Sequence, residues 1–341
     1  MKIWFDILTP KQLLFFSPMA QKLGKNHKIL CTSRNYSQVV DLAKIKRVKL
    51  LIVGKHGGSG REEKLKASTH RIDRLTEIVS KFSPDLVISF CSPEAARVAF
   101  GLGIKHVAFS DSPHAEAVMR LALPFVQKLL IPWIIPKEEF VRYGISKNNI
   151  IQYKAIDAAA IVKNKSIIKP ISVGKQRKTV VIRLEESAAA YVLGKTSISN
   201  KIIYEFSKET KKYNVIVLTR YKSEINKFRK KFGGKVKIMN KVVDGKSLLS
   251  VTDLFIGSGG TMTAEAALMG IPTISYDAVP NYVEKHLVKI GLVRRETNSR
   301  NILRVAKGIL EKNSTNKEKA KKVLNSMEDP FLKLMLAIKT L

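Results

Sequence analysis

Short apolar runs without polar alternation recur along this chain, and each is followed by a segment of helical period. The runs are Lys2–Ile7, Lys28–Thr32, Lys49–Val53, Asp85–Phe90, His106–Phe109, Leu129–Ile131, Thr179–Arg183, Asn214–Leu218, Val236–Met239 and Thr273–Tyr276. A strand with one face in water alternates polar and apolar residues, whereas a strand buried on both faces does not. Strands of that kind separated by helices predict a parallel sheet covered on both sides. The intervening helices read as Gln12–Leu23, Ser37–Ala43, Glu62–Lys81, Pro93–Leu102, Ala115–Leu123, Ser199–Lys212, Ser223–Phe232, Lys246–Ser250, Tyr282–Ile290, Asn301–Asn313 and Asn316–Leu324. A last apolar-faced helix covers Pro330–Leu341, and His56–Arg61 is a glycine-rich loop.

The pattern loses its period between Tyr153 and Pro170 and restarts at Thr179. With 341 residues the chain is long enough for two domains. The expected organisation is α/β: two doubly wound, Rossmann-like domains over residues 1–155 and 156–325, facing across a cleft, with a C-terminal helix (326–341) packing back on the first. In open α/β sheets ligands bind beyond the carboxyl ends of the strands, so the cleft is the expected site.

Residues Thr252–Pro272 read strand, glycine turn, helix, glycine stop, strand, with Gly257-Ser258-Gly259-Gly260 as the turn and Thr261 opening the helix. Glycines let the chain turn sharply and approach a ligand closely. The following helix points free N–H groups and its positive dipole end at that place, which suits an anion. The turn is neither a Walker loop nor Gly-x-Gly-x-x-Gly, so neither a P-loop nor a dinucleotide site is indicated. Read without context, it is also an ordinary tight turn. Glu265 lies on a helix of small and apolar residues, five positions before Gly270-Ile271-Pro272. A lone acid there serves either as a dipole partner or as a ligand for sugar hydroxyls.

This block resembles the nucleotide-sugar site of GT-B fold proteins, such as the lipid-linked peptidoglycan N-acetylglucosaminyltransferase and UDP-N-acetylglucosamine 2-epimerase. The resemblance implies that Gly257, Ser258, Gly259, Gly260 and Thr261 hold a diphosphate and that Glu265 holds the ribose. Over about 1–325 the chain is similar to an uncharacterised, largely archaeal family of GT-B-like proteins. The segments that carry this are Lys2-Ile3-Trp4-Phe5-Asp6, Phe15-Phe16, Asp244-Gly245-Lys246-Ser247-Leu248-Leu249 and Gly259–Ala267. GT-B relatives often place a histidine after the first strand. Here that loop is Thr9-Pro10-Lys11-Gln12, which leaves Lys11 or Gln12 to contact phosphate or hydroxyls.

Further candidates end other strands. Ser110-Asp111-Ser112-Pro113-His114-Ala115-Glu116 offers Asp111, His114 and Glu116 as acid and base groups, in a segment that reads equally as a helix cap. Ser92-Pro93-Glu94 favours the cap reading. In Arg183-Leu184-Glu185-Glu186, Arg183 is a candidate diphosphate partner. Lys285 and His286 fit a solvated face, and His56 and His70 carry no signal.

The composition adds 61 Lys+Arg against 28 Asp+Glu, net +33, spread along the whole chain. Such a surface attracts polyanions: nucleic acid, anionic headgroups or phosphorylated acceptors. The arginine-aromatic interleaving that stacks on bases is missing, so nucleic acid is the less favoured partner. A lysine-rich genome explains the excess equally well. Only Cys31 and Cys91 occur, no Cys/His cluster has metal-ligand spacing, and no run of about 18 apolar residues spans a membrane. Val118–Pro136 is apolar enough to touch a bilayer, though a buried helix and strand account for it better. The expected protein is cytoplasmic, peripheral to a membrane at most. It needs neither metal nor cofactor and takes a nucleotide sugar, such as a UDP-sugar, as substrate. Glycosyl transfer leads among the expected activities. The alternatives are sugar-nucleotide 2-epimerisation and a non-catalytic polyanion-binding module.

Overall fold

The computed structural model describes residues 1–58, 60–164, 171, 173, 177–185, 198–219, 222–239, 242–276, 281–312 and 315–341. Part of the predicted linker (165–170) and Glu186 lie outside the described residues. The chain divides into two compact units: Met1–Ile161 with Met327–Leu341, and Val162–Ser326.

In unit 1 seven strands form one parallel sheet: β1 (Lys2–Asp6), β2 (Lys28–Asn35), β3 (Leu51–Lys55), β4 (Leu86–Ser89), β5 (Lys105–Phe109), β6 (Lys128–Pro132) and β7 (Ile150–Tyr153). Their order is β3-β2-β1-β4-β5-β6-β7. In unit 2 the strands are β8 (Lys178–Arg183), β9 (Tyr213–Leu218), β10 (Lys237–Met239), β11 (Leu254–Gly257), β12 (Thr273–Ser275) and β13 (Arg294–Arg295), again parallel, in the order β10-β9-β8-β11-β12-β13. The chain therefore winds outward from β1, returns, and continues from β4; it does the same at β8 and β11. A crevice opens at each reversal, where neighbouring loops leave in opposite directions. The α/β expectation holds in both units, with two sheets of the same winding. Both match the architecture of GT-B proteins, as the comparisons below show.

The predicted strands are present because their residues are buried on both faces: all of Leu86–Ser89 and Leu254–Gly257 is buried. Two elements were not anticipated. Strand β7 and helix Asp157–Lys163 adjoin or occupy the stretch read as aperiodic. The helix is one Asp followed by three alanines, too short for a helical period to register. Helix Pro330–Lys339 packs on β5, β6 and β7 and belongs to unit 1. Lys22 pairs with its N-cap Asp329 at 2.9 Å and lies 4.6 Å from the Phe331 ring centre.

Beneath β1 the aromatic rings of Phe5, Phe15, Phe16, Phe90 and Phe109 pack edge to face, with Phe15 and Phe90 5.0 Å apart. The opposite face carries a buried polar layer. Asp6 at the end of β1 receives Arg71 Nη2 at 2.5 Å and Nη1 at 3.2 Å, Thr32 Oγ1 at 2.6 Å and Ser92 Oγ at 2.6 Å. Arg71 comes from helix Arg61–Phe82, is 1% exposed, and also donates Nε to Val53 O. Burial alone would raise the Asp6 carboxyl. The Arg71 charge and four hydrogen bonds more than reverse this and hold it below the usual carboxylate range.

Breaking one partner of a buried ion pair leaves the other charged and unsatisfied, at a cost of about 3–5 kcal/mol. The isosteric Asp6→Asn variant is therefore expected to lower unit 1 stability by that amount, read as a fall in the urea midpoint of near-ultraviolet dichroism. A midpoint within experimental scatter of wild type would show that Arg71 is not held by this carboxylate.

Candidate functional site

The glycine turn of unit 2 leaves β11 at the β8/β11 reversal, directly beside the end of β8 where Arg183 stands. Gly257 is there for space: a Cβ on it would sit 2.6 Å from both Thr263 Oγ1 and Phe255 Cε1. Gly259 has φ +80°, a conformation L side chains rarely adopt. Gly260 is the exposed N-cap of helix Thr261–Leu268, and no side chain caps that helix among the described residues. Its first-turn N–H groups thus stay open to an outside acceptor. Ser258 and Thr261 are half-buried beside the turn.

Glu265 is buried on this helix. Its Oε2 lies where a side chain on Gly245 would reach, 3.6 Å from the position a Cβ would take. The absence of a side chain at 245 is what lets the carboxylate lie against the start of helix Gly245–Leu249. Two neighbours of the turn were not anticipated. Asn281 caps helix Tyr282–Lys289 through Glu284 N and sends Nδ2 to Gly259 O at 3.4 Å. Glu284 is buried between Ser275 and Arg295, the latter at 2.6 Å, and so ties β12 to β13. Arg183 Nη1 donates to Thr219 O at 3.2 Å, and Tyr276 OH donates to Arg183 O and Glu185 Oε2. These bonds fix the β8 end that borders the turn.

Unit 1 gathers a second group of chemical side chains. Lys11, in the first turn of helix Pro10–Leu23, places Nζ 2.6 Å from Asp111 Oδ2 and 2.6 Å from Asp157 Oδ2. The ammonium also lies 4.7 Å from the Phe90 ring centre. Tyr153 OH donates to the other Asp157 oxygen, and Ser112 Oγ donates to Asp111 at 2.9 Å. The Asp157 side chain is 2% exposed and that of Asp111 21%, so solvent reaches the group from the Asp111 end.

One cation serves two carboxylates, and the titrations follow from that. Burial and the Asp111 charge push Asp157 up to about 6 against the pull of Lys11. Burial also raises Asp111, but Lys11 and its hydrogen bonds bring it below the ordinary range. The two carboxylates hold Lys11 above its usual value in spite of burial. His114 is pushed down by burial, with Asp111 opposing and Lys11 adding to the effect, so its imidazole is neutral at pH 7.

Of the sequence candidates in this unit, Asp111 and His114 come together and Glu116 does not. Glu116 is exposed and pairs with Arg120 at 2.8 Å, four residues on. Gln12 Oε1 accepts Leu8 N at 2.6 Å and so closes the loop after β1. Lys11, Asp157 and Tyr153 complete the group. Its one sequence signal was Asp157, an isolated acid in an otherwise apolar run. Both cysteines are shielded: burial raises Cys31 and Cys91 to about 12. Among the described residues no helix is long and apolar enough to cross a membrane.

Two doubly wound units, the second with its glycine turn and buried glutamate at the point of reversal, define a GT-B-like protein. The chain belongs to the family described as "Protein of unknown function (DUF354)", whose model matches residues 1–339. It is 28% identical over 298 residues to the uncharacterised protein MJ0665 of Methanocaldococcus jannaschii, covering 84% of this chain and 85% of that protein. Its fold is similar to UDP-GlcNAc 2-epimerase from Neisseria meningitidis, solved bound to UDP-GlcNAc, with TM-score 0.70, 16% identity, and coverage of 97% of this chain and 96% of that one. It is also similar to the glycosyltransferase of kitacinnamycin, with TM-score 0.62, 11% identity, and coverage of 95% and 94%. At such identities the likeness is one of fold.

A carboxyl whose folded pKa is raised holds a proton that the unfolded chain has released. Asp157 therefore costs stability that grows from about pH 4 to about pH 6 and persists above. Asp157→Asn keeps the shape and leaves a balanced Lys11–Asp111 pair. It is expected to raise the unfolding temperature at pH 8 and leave it unchanged near pH 4. A variant less stable than wild type at pH 8 would refute the charge imbalance.

Proposed function

We propose that this protein is a nucleotide-sugar-dependent glycosyltransferase that needs no metal for its leaving group. The carrying observation is the turn of unit 2: open first-turn amides at a strand-order reversal, with buried Glu265 held against side-chain-free Gly245. Amides and the helix dipole suit a diphosphate. A carboxylate accepts hydrogen bonds from both hydroxyls of a ribose. The UDP-GlcNAc bound by the Neisseria meningitidis protein of the same fold supports this choice of ligand.

In this reading the acceptor oxygen bonds to the anomeric carbon while the bond from that carbon to the diphosphate oxygen breaks. The nucleoside diphosphate leaves with the electron pair, and its charge is met by the Gly257–Thr261 amides, with Arg183 at the neighbouring strand end. The acceptor's proton goes to a base. His114, neutral and half-buried, is suited to receive it, and Asp111, held ionised by Lys11, stabilises the imidazolium that results. Glu116, turned to its own helix face, has no part.

A second reading, sugar-nucleotide 2-epimerisation, is favoured by one observation: Asp111 and Asp157 share Lys11, which supplies two acids of different proton affinity in one place.

Calorimetric titration with UDP-N-acetylglucosamine and other nucleotide sugars tests the donor site. Glu265→Ala should weaken binding about 10- to 100-fold, the loss of a charged partner to two hydroxyls. Equal binding by variant and wild type would overturn the assignment. Incubation with UDP-N-acetylglucosamine in deuterated water separates the two reactions. Transfer leaves the C2 proton in place, whereas epimerisation replaces it with deuterium, visible as loss of the C2 proton signal.

A further inference from the structure

The strand-order reversal in unit 1 lies between β1 and β4, and one buried polar atom there makes no hydrogen bond. Arg34, at the end of β2, projects to the same side of the sheet as Thr32, the side of Trp4 and Asp6. Its side chain is half-buried and its Nε is fully enclosed without a hydrogen-bond partner. A buried donor left unsatisfied costs about 1–3 kcal/mol, so an acceptor is expected there. The groups around it are Glu94, Arg71, Asp6 and Tyr36, in order of influence on its charge. Glu94 stands in the first turn of helix Pro93–Gly101, 8% exposed. Its Oε2 lies 3.4 Å from Ser92 Oγ and 3.7 Å from Arg71 Nη1. Tyr36 stacks on His56 with ring centres 5.4 Å apart, just after the end of β2.

The charges decide what fits. Asp6 and Glu94 balance Arg71 and Arg34, so the layer is neutral as it stands. A phosphate or carboxylate on Arg34 would meet Glu94 at close range and be repelled. What remains is a neutral group that accepts from Nε and donates to a carboxylate. A hydroxyl does both, and two adjacent hydroxyls do so without competition. An aromatic pair beside a guanidinium and a carboxylate also offers the mix of apolar face and convergent polar groups that a sugar ring needs.

We infer that the crevice at the ends of β1, β2 and β4 binds a neutral carbohydrate through a pair of neighbouring hydroxyls, one accepting from Arg34 Nε and one donating to Glu94. The inference gives the acceptor of the proposed transfer its chemical class and rests on that reading, but its binding step involves unit 1 alone. A phosphorylated acceptor would place its sugar here and its phosphate elsewhere.

Saturation-transfer NMR with the methyl glycosides of glucose, galactose and mannose tests it, since these span both geometries of neighbouring hydroxyls. Wild-type protein should transfer saturation to at least one glycoside. Arg34→Gln should reduce the signal fivefold or more. Arg34→Lys, which keeps the charge but loses the Nε donor, should do the same, and guards against a folding defect in the first variant. Undiminished signal in both variants, or no signal from any glycoside with wild type, overturns the inference. So does an Arg34-dependent chemical-shift change on adding inorganic phosphate, which would make the site one for oxyanions. Glu265→Ala should bind the glycosides as wild type does. If wild type binds glycosides but no nucleotide sugar, the transferase reading fails and this site stands.

Discussion

The contact between Asp6 and Arg71 organises unit 1. It joins the end of β1 to helix Arg61–Phe82, and through Thr32 and Ser92 it reaches β2 and the cap of helix Pro93–Gly101. Buried ion pairs of this kind add little net stability compared with a hydrophobic replacement, but they punish any arrangement that leaves one member unpaired. The result is positional. The loops after β1, β2 and β4 are tied to one carboxylate, and these loops carry Lys11, Arg34 and Glu94. A site assembled from several strand ends needs such a common reference if its groups are to hold their spacing.

Unit 2 achieves the same end with fewer charges. Its core, from Val180 and Ile182 through Phe206, Val217 and Ile256 to Ile302 and Leu310, is apolar. Its polar groups sit at strand ends: Glu284 between Ser275 and Arg295, and Tyr276 against Arg183 and Glu185. The acids kept inside also change the meaning of the net charge. Among the described residues Asp6, Glu94, Asp157, Glu265 and Glu284 are buried, against Arg71 and Lys246 alone among Lys and Arg. The excess of positive charge that solvent meets is thus greater than the formal +33. Such a field raises the encounter rate with anionic substrates at low salt, whichever surface they finally occupy.

Much of the fold was legible because burial on both faces leaves a plain mark: uninterrupted apolar runs such as Leu86–Ser89 and Leu254–Gly257. The glycine turn and Glu265 were legible for a related reason, since an acid among Ala, Leu and Met stands out. Helix Asp157–Lys163 was not, because seven residues do not establish a period. The Lys11–Asp111–Asp157 group was hidden more thoroughly. Its members follow or precede different strands, and only the sheet order makes them neighbours. Arg71 gave no sign at all: on a long helix rich in Lys, Arg and Glu, the one buried arginine looks like the exposed ones. Gly270 shows the reverse case. It read as part of a nucleotide-sugar signature, yet a Cβ there would strike the Lys317 backbone at 2.6 Å, so its local reason is packing against helix Lys317–Ser326.

Helix Pro330–Lys339 closes unit 1 from the far end of the chain, after all of Val162–Ser326. During synthesis the strands β5, β6 and β7 therefore wait with one apolar side uncovered while the whole of unit 2 is made. Unit 2, by contrast, is continuous in sequence and can complete its core as soon as it emerges. Vectorial synthesis thus favours an order in which the later segment matures first and the earlier one is sealed afterwards. Truncation before Pro330 would consequently harm the unit that begins the chain rather than the one that precedes the cut.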